Sequence, residues 1–369
     1  MIVADVYKAD VLVGYFSQHP GGVTEFDYKD DATGPVATSL PLISAPYVTF
    51  GGAIPPFFTN LLPEGRRLSN LKRTVKASLD DELALLLSVG ENTVGDVVVA
   101  PHGQRPQPST AAIDLDGELD FSQALTAAGI TDPIAVPGVQ DKASARTIAA
   151  PVSGADTEYI LKVSPPEYPR LVENEAACFS IARTAGFPLA QVQLLTDVHS
   201  RPGLLISRFD RVGDQRLHVE DAAQIMGLYP SEKYYPSMEE VAQALMSVSA
   251  SPLLTARNVA FQVALAWLTG NGDLHAKNIS MIWRNGMPEV SPIYDIPSTL
   301  PYGDTAMALS IQGRKDNISG KIFRAFCSEI GLNERATESV MRLALEATED
   351  AAEKIITASD FDTRRDLWL

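Results

Sequence analysis

Over the first fifty residues apolar and polar side chains alternate in short runs, Ile2–Tyr7, Val11–Phe16 and Val23–Tyr28. Turn-forming stretches, Pro20-Gly21-Gly22 and Thr33-Gly34-Pro35, separate them. Alternation with period two, cut by such turns, predicts a small antiparallel sheet. A Pro-bounded segment, Pro55–Gly65, follows, with helical patterns near 66–77 and 80–88 and a strand at Val94–Val99. Pro101–Thr110 is rich in Pro, Gln and Ser and marks the best boundary in the chain. A short helix is expected within Asp114–Ala128, then strands at Ala145–Val152, Glu158–Val163, Gln191–Leu195 and Gly203–Asp210, with a helix at Leu171–Ala185.

The second half is mainly helical. Leu254–Thr269 is apolar on nearly every face, which predicts a buried helix. Ile279–Trp283 and Glu289–Ile293 flank Asn285-Gly286, a strong hairpin signal. Ala306–Gln312 reads as a strand, and Gly320–Ile330, Glu334–Leu345 and Asp350–Ile356 read as helices. The expected organisation is an N-terminal subdomain over 1–105, a β-rich lobe over 106–227 and a mainly helical lobe over 228–369.

With 369 residues the chain can bury more than one core. Its two cysteines sit in helix-like segments and suggest neither a disulfide framework nor a zinc site. This fits a reducing cytoplasm. No apolar run is long enough to span a bilayer, so no membrane role is expected. The formal charge of −16 argues against direct binding to a nucleic-acid backbone, which draws its affinity from Lys and Arg.

The chemistry concentrates in Asn271-Gly-Asp-Leu-His-Ala-Lys-Asn278 and Ser291-Pro-Ile-Tyr-Asp-Ile-Pro-Ser298. In protein kinases the Asp of a D-x-x-x-x-N loop accepts the substrate hydroxyl proton, the Asn holds a metal ion, and a later Asp holds the metal that bridges the ATP phosphates. Asp273, Asn278 and Asp295 stand in that order and at that spacing. Asn and Asp supply the hard oxygen ligands that magnesium prefers. The predicted hairpin would carry Asp295 back towards Asn278. Lys162, near the end of its strand, parallels the kinase strand lysine that pairs ATP phosphates and a helix Glu. Glu175, Phe179 and Ala182 share one helix face, so Glu175 faces the core and needs a cation. Lys162 is the obvious partner. Ser207-Arg208-Phe209 stands where a kinase hinge would meet adenine. With Asp273 present as base, His275 reads as a structural or phosphate-orienting residue.

These stretches closely resemble the HipA-like serine/threonine kinases, toxin halves of bacterial toxin–antitoxin pairs. Asn271–Asn278, Tyr294–Tyr302, Pro55–Gly65, Ile206–Arg211, Glu220–Gln224 and Lys233-Tyr234 carry the resemblance. It implies an α+β fold: a protein-kinase-like two-lobed body with an additional small β-rich N-terminal subdomain. It also implies a phosphate-binding loop at Pro137, Gly138, Val139, Gln140, Asp141 and Lys142. Ala135 stands where many members carry an autophosphorylated Ser, so that switch is not expected in its usual form. His275, Lys277 and Tyr294 join the implied nucleotide contacts, and Asn278 and Asp295 the implied Mg2+ ligands. The function implied is ATP-dependent phosphorylation of a protein Ser or Thr. In some members the target is an aminoacyl-tRNA synthetase and the outcome is growth arrest or drug tolerance. The implied partner is a small basic helix-turn-helix antitoxin (HipB-like) that itself contacts DNA. Two other readings stay open. One is kinase-fold chemistry on a small molecule or lipid; the other is a non-catalytic corepressor bound to the antitoxin.

Overall fold

The structure, a computed structural model, describes residues 2–75, 81–90, 92–106, 111–112, 118–127, 147–154 and 157–359. The alternating N-terminal runs form β1 (Ile2–Lys8), β2 (Val11–Gln18), β3 (Thr24–Tyr28) and β4 (Tyr47–Thr49), joined by β5 (Val97–Pro101). They make an antiparallel sheet in the order β4-β3-β2-β1-β5. Three helices pack against it: α1 (Pro56–Thr59), α2 (Gly65–Val75) and α3 (Glu82–Val89). Phe16, Phe26, Phe57 and Phe58 fill the space between, with Ile54, Leu83 and Leu86. Burying such aromatic side chains dominates the stability of so small a core.

A second sheet follows, built from β6 (Ala111–Ala112), β7 (Ile148–Ser153), β8 (Glu158–Val163), β9 (Val192–Thr196) and β10 (Pro202–Ser207) in the order β6-β7-β8-β10-β9. Helix α4 (Phe121–Ala127) covers one part of it, burying Phe121 on Ile148, Leu161 and Leu205. Helix α5 (Leu171–Arg183) lies against β8, β9 and β10 and turns Glu175, Phe179 and Ala182 inward, as the spacing predicts. A small hairpin, β11 (Arg211–Val212) with β12 (Gln215–Arg216), leads into the larger lobe.

There β13 (Val219–Asp221), β14 (Ser280–Arg284) and β15 (Met287–Val290) form a three-stranded antiparallel sheet. The helices are α6 (Ala222–Ile225), α7 (Met238–Val248), α8 (Pro252–Thr269), α9 (Gly320–Glu329), α10 (Glu334–Ala347) and α11 (Ala351–Ser359). Helix α8 is buried along most of its length, with Phe261 and Leu265 at the centre of the largest core. The chain thus adopts the expected α+β, kinase-like arrangement of two lobes plus an N-terminal subdomain.

One predicted strand is absent: Ala306–Gln312 runs as bends, with an isolated bridge between Ile311 and Arg314. Met307, Ala308 and Leu309 are all buried, so the two-sided alternation of a sheet strand does not hold there. Their neighbours satisfy the backbone instead, Met307 N donating to Lys315 O and Met238 N to Ser310 O. The strand expected at Val94–Val99 lies three residues later, because Gly95 takes a left-handed φ of 84° and its N–H turns to Asp210.

The N-terminal subdomain is fastened to the body by polar contacts. Glu220 accepts both the amide and the hydroxyl of Thr38, and Arg208 donates to Thr93 O at 2.8 Å. Gln224 reaches Phe57 O, and His218 stands between Asp96 (2.7 Å) and Glu220 (2.9 Å).

Candidate active site

The loop after α8 is shaped by its own residues. Gly270 closes the helix at a φ of 67°, where its N–H still reaches Ala266 O and Trp267 O. A residue with a Cβ would be strained there and would meet Leu300 at 2.8 Å. Asn271 Oδ1 then accepts the Asp273 amide at 2.9 Å, a local turn that aims the Asp273 carboxylate. Gly272 has no room for a side chain: a Cβ would lie 2.6 Å from Ala306 O and 2.7 Å from Thr299 Oγ1. Its N–H donates to that same hydroxyl at 2.7 Å. The Asp273 carboxylate accepts the Tyr234 phenol at 2.9 Å.

Four more of the anticipated residues meet in one place. Lys162 on β8 donates to both oxygens of Glu175 on α5, at 2.7 and 3.0 Å, and to Asp295 Oδ1 at 2.8 Å. Asn278 Nδ2 reaches Asp295 Oδ2 at 2.5 Å, which leaves Asn278 Oδ1 buried without a hydrogen-bond partner among the described residues. Residues β14 and β15 supply the return that brings Asp295 there. Ile293 is held on the far side by Pro188 and Ala190. Burial pushes the Glu175 carboxyl upward and Asp295 adds to the shift, while the Lys162 ammonium opposes it. Lys162 itself is raised: burial would lower it, and Asp295 and Glu175 outweigh burial. One ammonium between two carboxylates leaves a net negative charge. That excess, together with the orphaned amide oxygen, fits a divalent cation with oxygen ligands.

His275 is held down to about 3 by burial and by the nearby Lys233 ammonium, so the ring is neutral at ordinary pH. Its Nδ1 accepts the Lys277 amide at 3.2 Å, which leaves the proton on Nε2. A ring so weakly basic is a poor proton acceptor, which agrees with a positioning role. Lys277 pairs with Glu64 at 2.9 Å and donates to Asn60 O at 3.3 Å. Tyr294 bonds to Lys277 O at 2.5 Å and Ser280 at 2.8 Å, and its ring lies 5.4 Å from Phe209.

Two adjoining cavities of ≈ 240 and ≈ 320 Å³ make one cleft. Lys162, Asp273, His275 and Asp295 line the first; Ser207, Arg208, Phe209, Lys277, Asn278, Tyr294 and Asp295 line the second. Arg208 is spent on structure: its guanidinium binds Asp210 at 2.8 Å and its amide donates to Glu158 O. The Ser207 amide donates to Gln191 O, and among the described residues the Phe209 amide has no acceptor. The expected phosphate loop, Pro137–Lys142, and Ala135 lie outside the described residues.

Sequence reasoning did not place Glu64, Arg67, Asp221 and Gln224 on this cleft. Lys233 and Tyr234 carried a resemblance but no role; here Lys233 pairs with Glu64 and Tyr234 holds Asp273. A signal existed in the two Glu64 neighbours, Pro63 and Gly65, which put the acid just ahead of α2. Nothing local linked that acid to lysines far along the chain.

Comparison with known proteins finds relatives along most of the chain. Putative kinase Y4mE of Sinorhizobium fredii is 27% identical over 390 residues, covering 96% of this chain and 92% of that protein. The serine/threonine-protein kinase toxin HipA of Shewanella oneidensis is 27% identical over 348 residues, covering 83% of this chain and 78% of the toxin. The fold matches the HipA chain solved with HipB and operator DNA from Shewanella oneidensis MR-1 with a TM-score of 0.76. That match is at 21% identity and covers 99% of this chain and 93% of the other. The HipA N-terminal domain family matches residues 4–100, and the HipA-like C-terminal domain family matches residues 134–353. With more than half its length inside the latter and Asn271–Asn278 within it, the chain belongs to the HipA-like family.

Proposed function

We propose that the chain is an ATP-dependent serine/threonine protein kinase that acts as a growth-arresting toxin in the cytoplasm and is neutralised by a small basic HipB-like antitoxin. The observation that carries this reading is the meeting of Lys162, held from behind by Glu175, with Asn278 and Asp295 on the cleft that Asp273 also lines.

Phosphoryl transfer asks a protein mainly for positioning and charge neutralisation. Asp273, steadied by Tyr234 and by the Asn271 turn, orients the incoming hydroxyl and accepts its proton. Lys162, fixed by Glu175, neutralises phosphate charge. Asn278 and Asp295 would hold Mg2+, which supplies further neutralisation of the phosphate oxygens. At the other end the apolar walls of Ile160 and Ile206 receive the adenine, and the Phe209 amide offers it a donor. Pro137–Lys142 would cover the phosphates, with His275, Lys277 and Tyr294 shaping the wall around them. The toxin named among the relatives supports the assignment to protein Ser or Thr, and the HipA–HipB–DNA assembly supports an antitoxin that carries the DNA contacts. A translation factor or an aminoacyl-tRNA synthetase is the class of target that would account for growth arrest.

The test is incubation of purified protein with labelled ATP and a cell lysate, with mass spectrometry of labelled proteins and Asp273→Ala as control. Label on a protein Ser or Thr that disappears in the variant supports the reading. A wild-type protein that neither binds ATP nor transfers phosphate overturns it.

A further inference from the structure

The cleft holds a cation for which the chemistry above has no use. Arg67 stands on α2 of the N-terminal subdomain and lines both cavities, in company with Lys162 and Asp295. Among the described residues its guanidinium makes no hydrogen bond and no ion pair. Glu64, three residues earlier, does not compensate it, because that carboxylate is already shared by Lys233 and Lys277. Burial, and then the neighbouring Arg208 charge, push Arg67 down to about 10. A guanidinium that lines the cleft half-buried and with no counter-charge is unfavourably placed, so its position calls for an anion.

The lining identifies the anion. On the side where Arg67 meets Lys162, Asp273, His275 and Asp295, the carboxylates have other donors: Lys162 and Asn278 for Asp295, Tyr234 for Asp273. This is the end of the cleft away from Ser207–Phe209, where transfer would occur. A planar guanidinium matches two oxygens of a phosphate with two parallel N–H bonds, which a lysine cannot do.

We propose that Arg67 contacts the terminal phosphate of the bound nucleotide, so that the N-terminal subdomain supplies in cis a cation for the group being transferred. This rests on the kinase reading above. It makes the subdomain part of the active site rather than only a platform for a partner.

The experiment compares wild type, Arg67→Ala and Arg67→Lys, first by melting temperature, then by calorimetric titration with ATP and with AMP in the presence of Mg2+, then by phosphoryl transfer. Loss of a charge-assisted contact to the terminal phosphate weakens ATP binding of Arg67→Ala by about 10- to 100-fold and leaves AMP binding unchanged. Arg67→Lys recovers part of the ATP affinity. Transfer by Arg67→Ala falls by about 10³-fold, the lower range for an arginine acting on a phosphoryl group. Equal ATP affinity in wild type and Arg67→Ala, or equal loss of ATP and AMP, overturns the assignment of Arg67 while leaving the kinase reading intact. A wild type that binds neither nucleotide overturns both.

Discussion

Asn278 and Asp295, seventeen positions apart, approach so closely that the amide nitrogen of one touches a carboxylate oxygen of the other at 2.5 Å. The opposite face of that amide, Oδ1, is buried and without a hydrogen-bond partner among the described residues. An orphaned buried acceptor costs free energy unless something fills it. The pair therefore predicts that ATP binding depends on Mg2+ and that Asp295→Asn removes the dependence. Titration of ATP with and without Mg2+ checks this. Wild type should show the larger affinity with the ion, and Asp295→Asn should bind equally in both. Transfer should fall on the order of 10³-fold, the several kcal/mol that such an ion contributes. Equal binding by wild type with and without Mg2+ would remove the metal from the site.

Tyr234 and Asp273 give a second expectation. Their bond of 2.9 Å orients the carboxylate without contacting the phosphates. Asp273→Asn should keep ATP affinity close to wild type and lose transfer by about 10²- to 10⁴-fold, the usual range for a positioned general base. Tyr234→Phe should lower kcat by less and leave the KM for ATP unchanged. A Tyr234→Phe enzyme with normal kcat would show that Asp273 does not need this support.

Gly272 is a packing constraint. Gly272→Ala places a methyl group 2.6 Å from the Ala306 carbonyl, which is backbone and cannot swing away. The loop must shift, at about 1–3 kcal/mol for overpacking. Urea unfolding should register that loss, and transfer should fall because Asp273 is the next residue. Unchanged stability and rate would mean that the loop yields freely.

His218 joins the subdomain to the body and carries a pH expectation. Burial alone would lower its pKa, but hydrogen bonds to Asp96 and Glu220 outweigh burial, and the net shift is upward despite Lys8 nearby. Both ring nitrogens face carboxylates, so the folded state favours the charged ring. A group raised on folding contributes its stability fully below its unfolded value, about 6.5, and loses it as pH rises through the folded value. The melting temperature should therefore decline as pH is raised from 6 towards 8. His218→Gln should flatten that slope. A variant with the same slope as wild type would assign the decline to other groups.

The order Lys162, Glu175, Asp273, Asn278, Asp295 was legible in the chain. So were the inward face of α5, the buried character of α8 and the hairpin that returns Asp295. Each rests on local rules: helical spacing places Glu175 beside Phe179, and Asn285-Gly286 dictates a tight turn. The strand expected at Ala306–Gln312 failed because burial there comes from loop contacts on every side, which the alternation rule does not cover.

What the sequence by itself determined is the set of inward-facing residues and the chemical types gathered near each turn. Which inward faces meet was decided only in three dimensions. Glu64 clamps Lys233 and Lys277, Arg67 enters the cleft, and Tyr234 holds Asp273, yet no periodicity connects residues so far apart in the chain. Side-chain spacing governs neighbours within a few residues, whereas the docking of one subdomain on another depends on the summed burial and hydrogen bonding of whole surfaces.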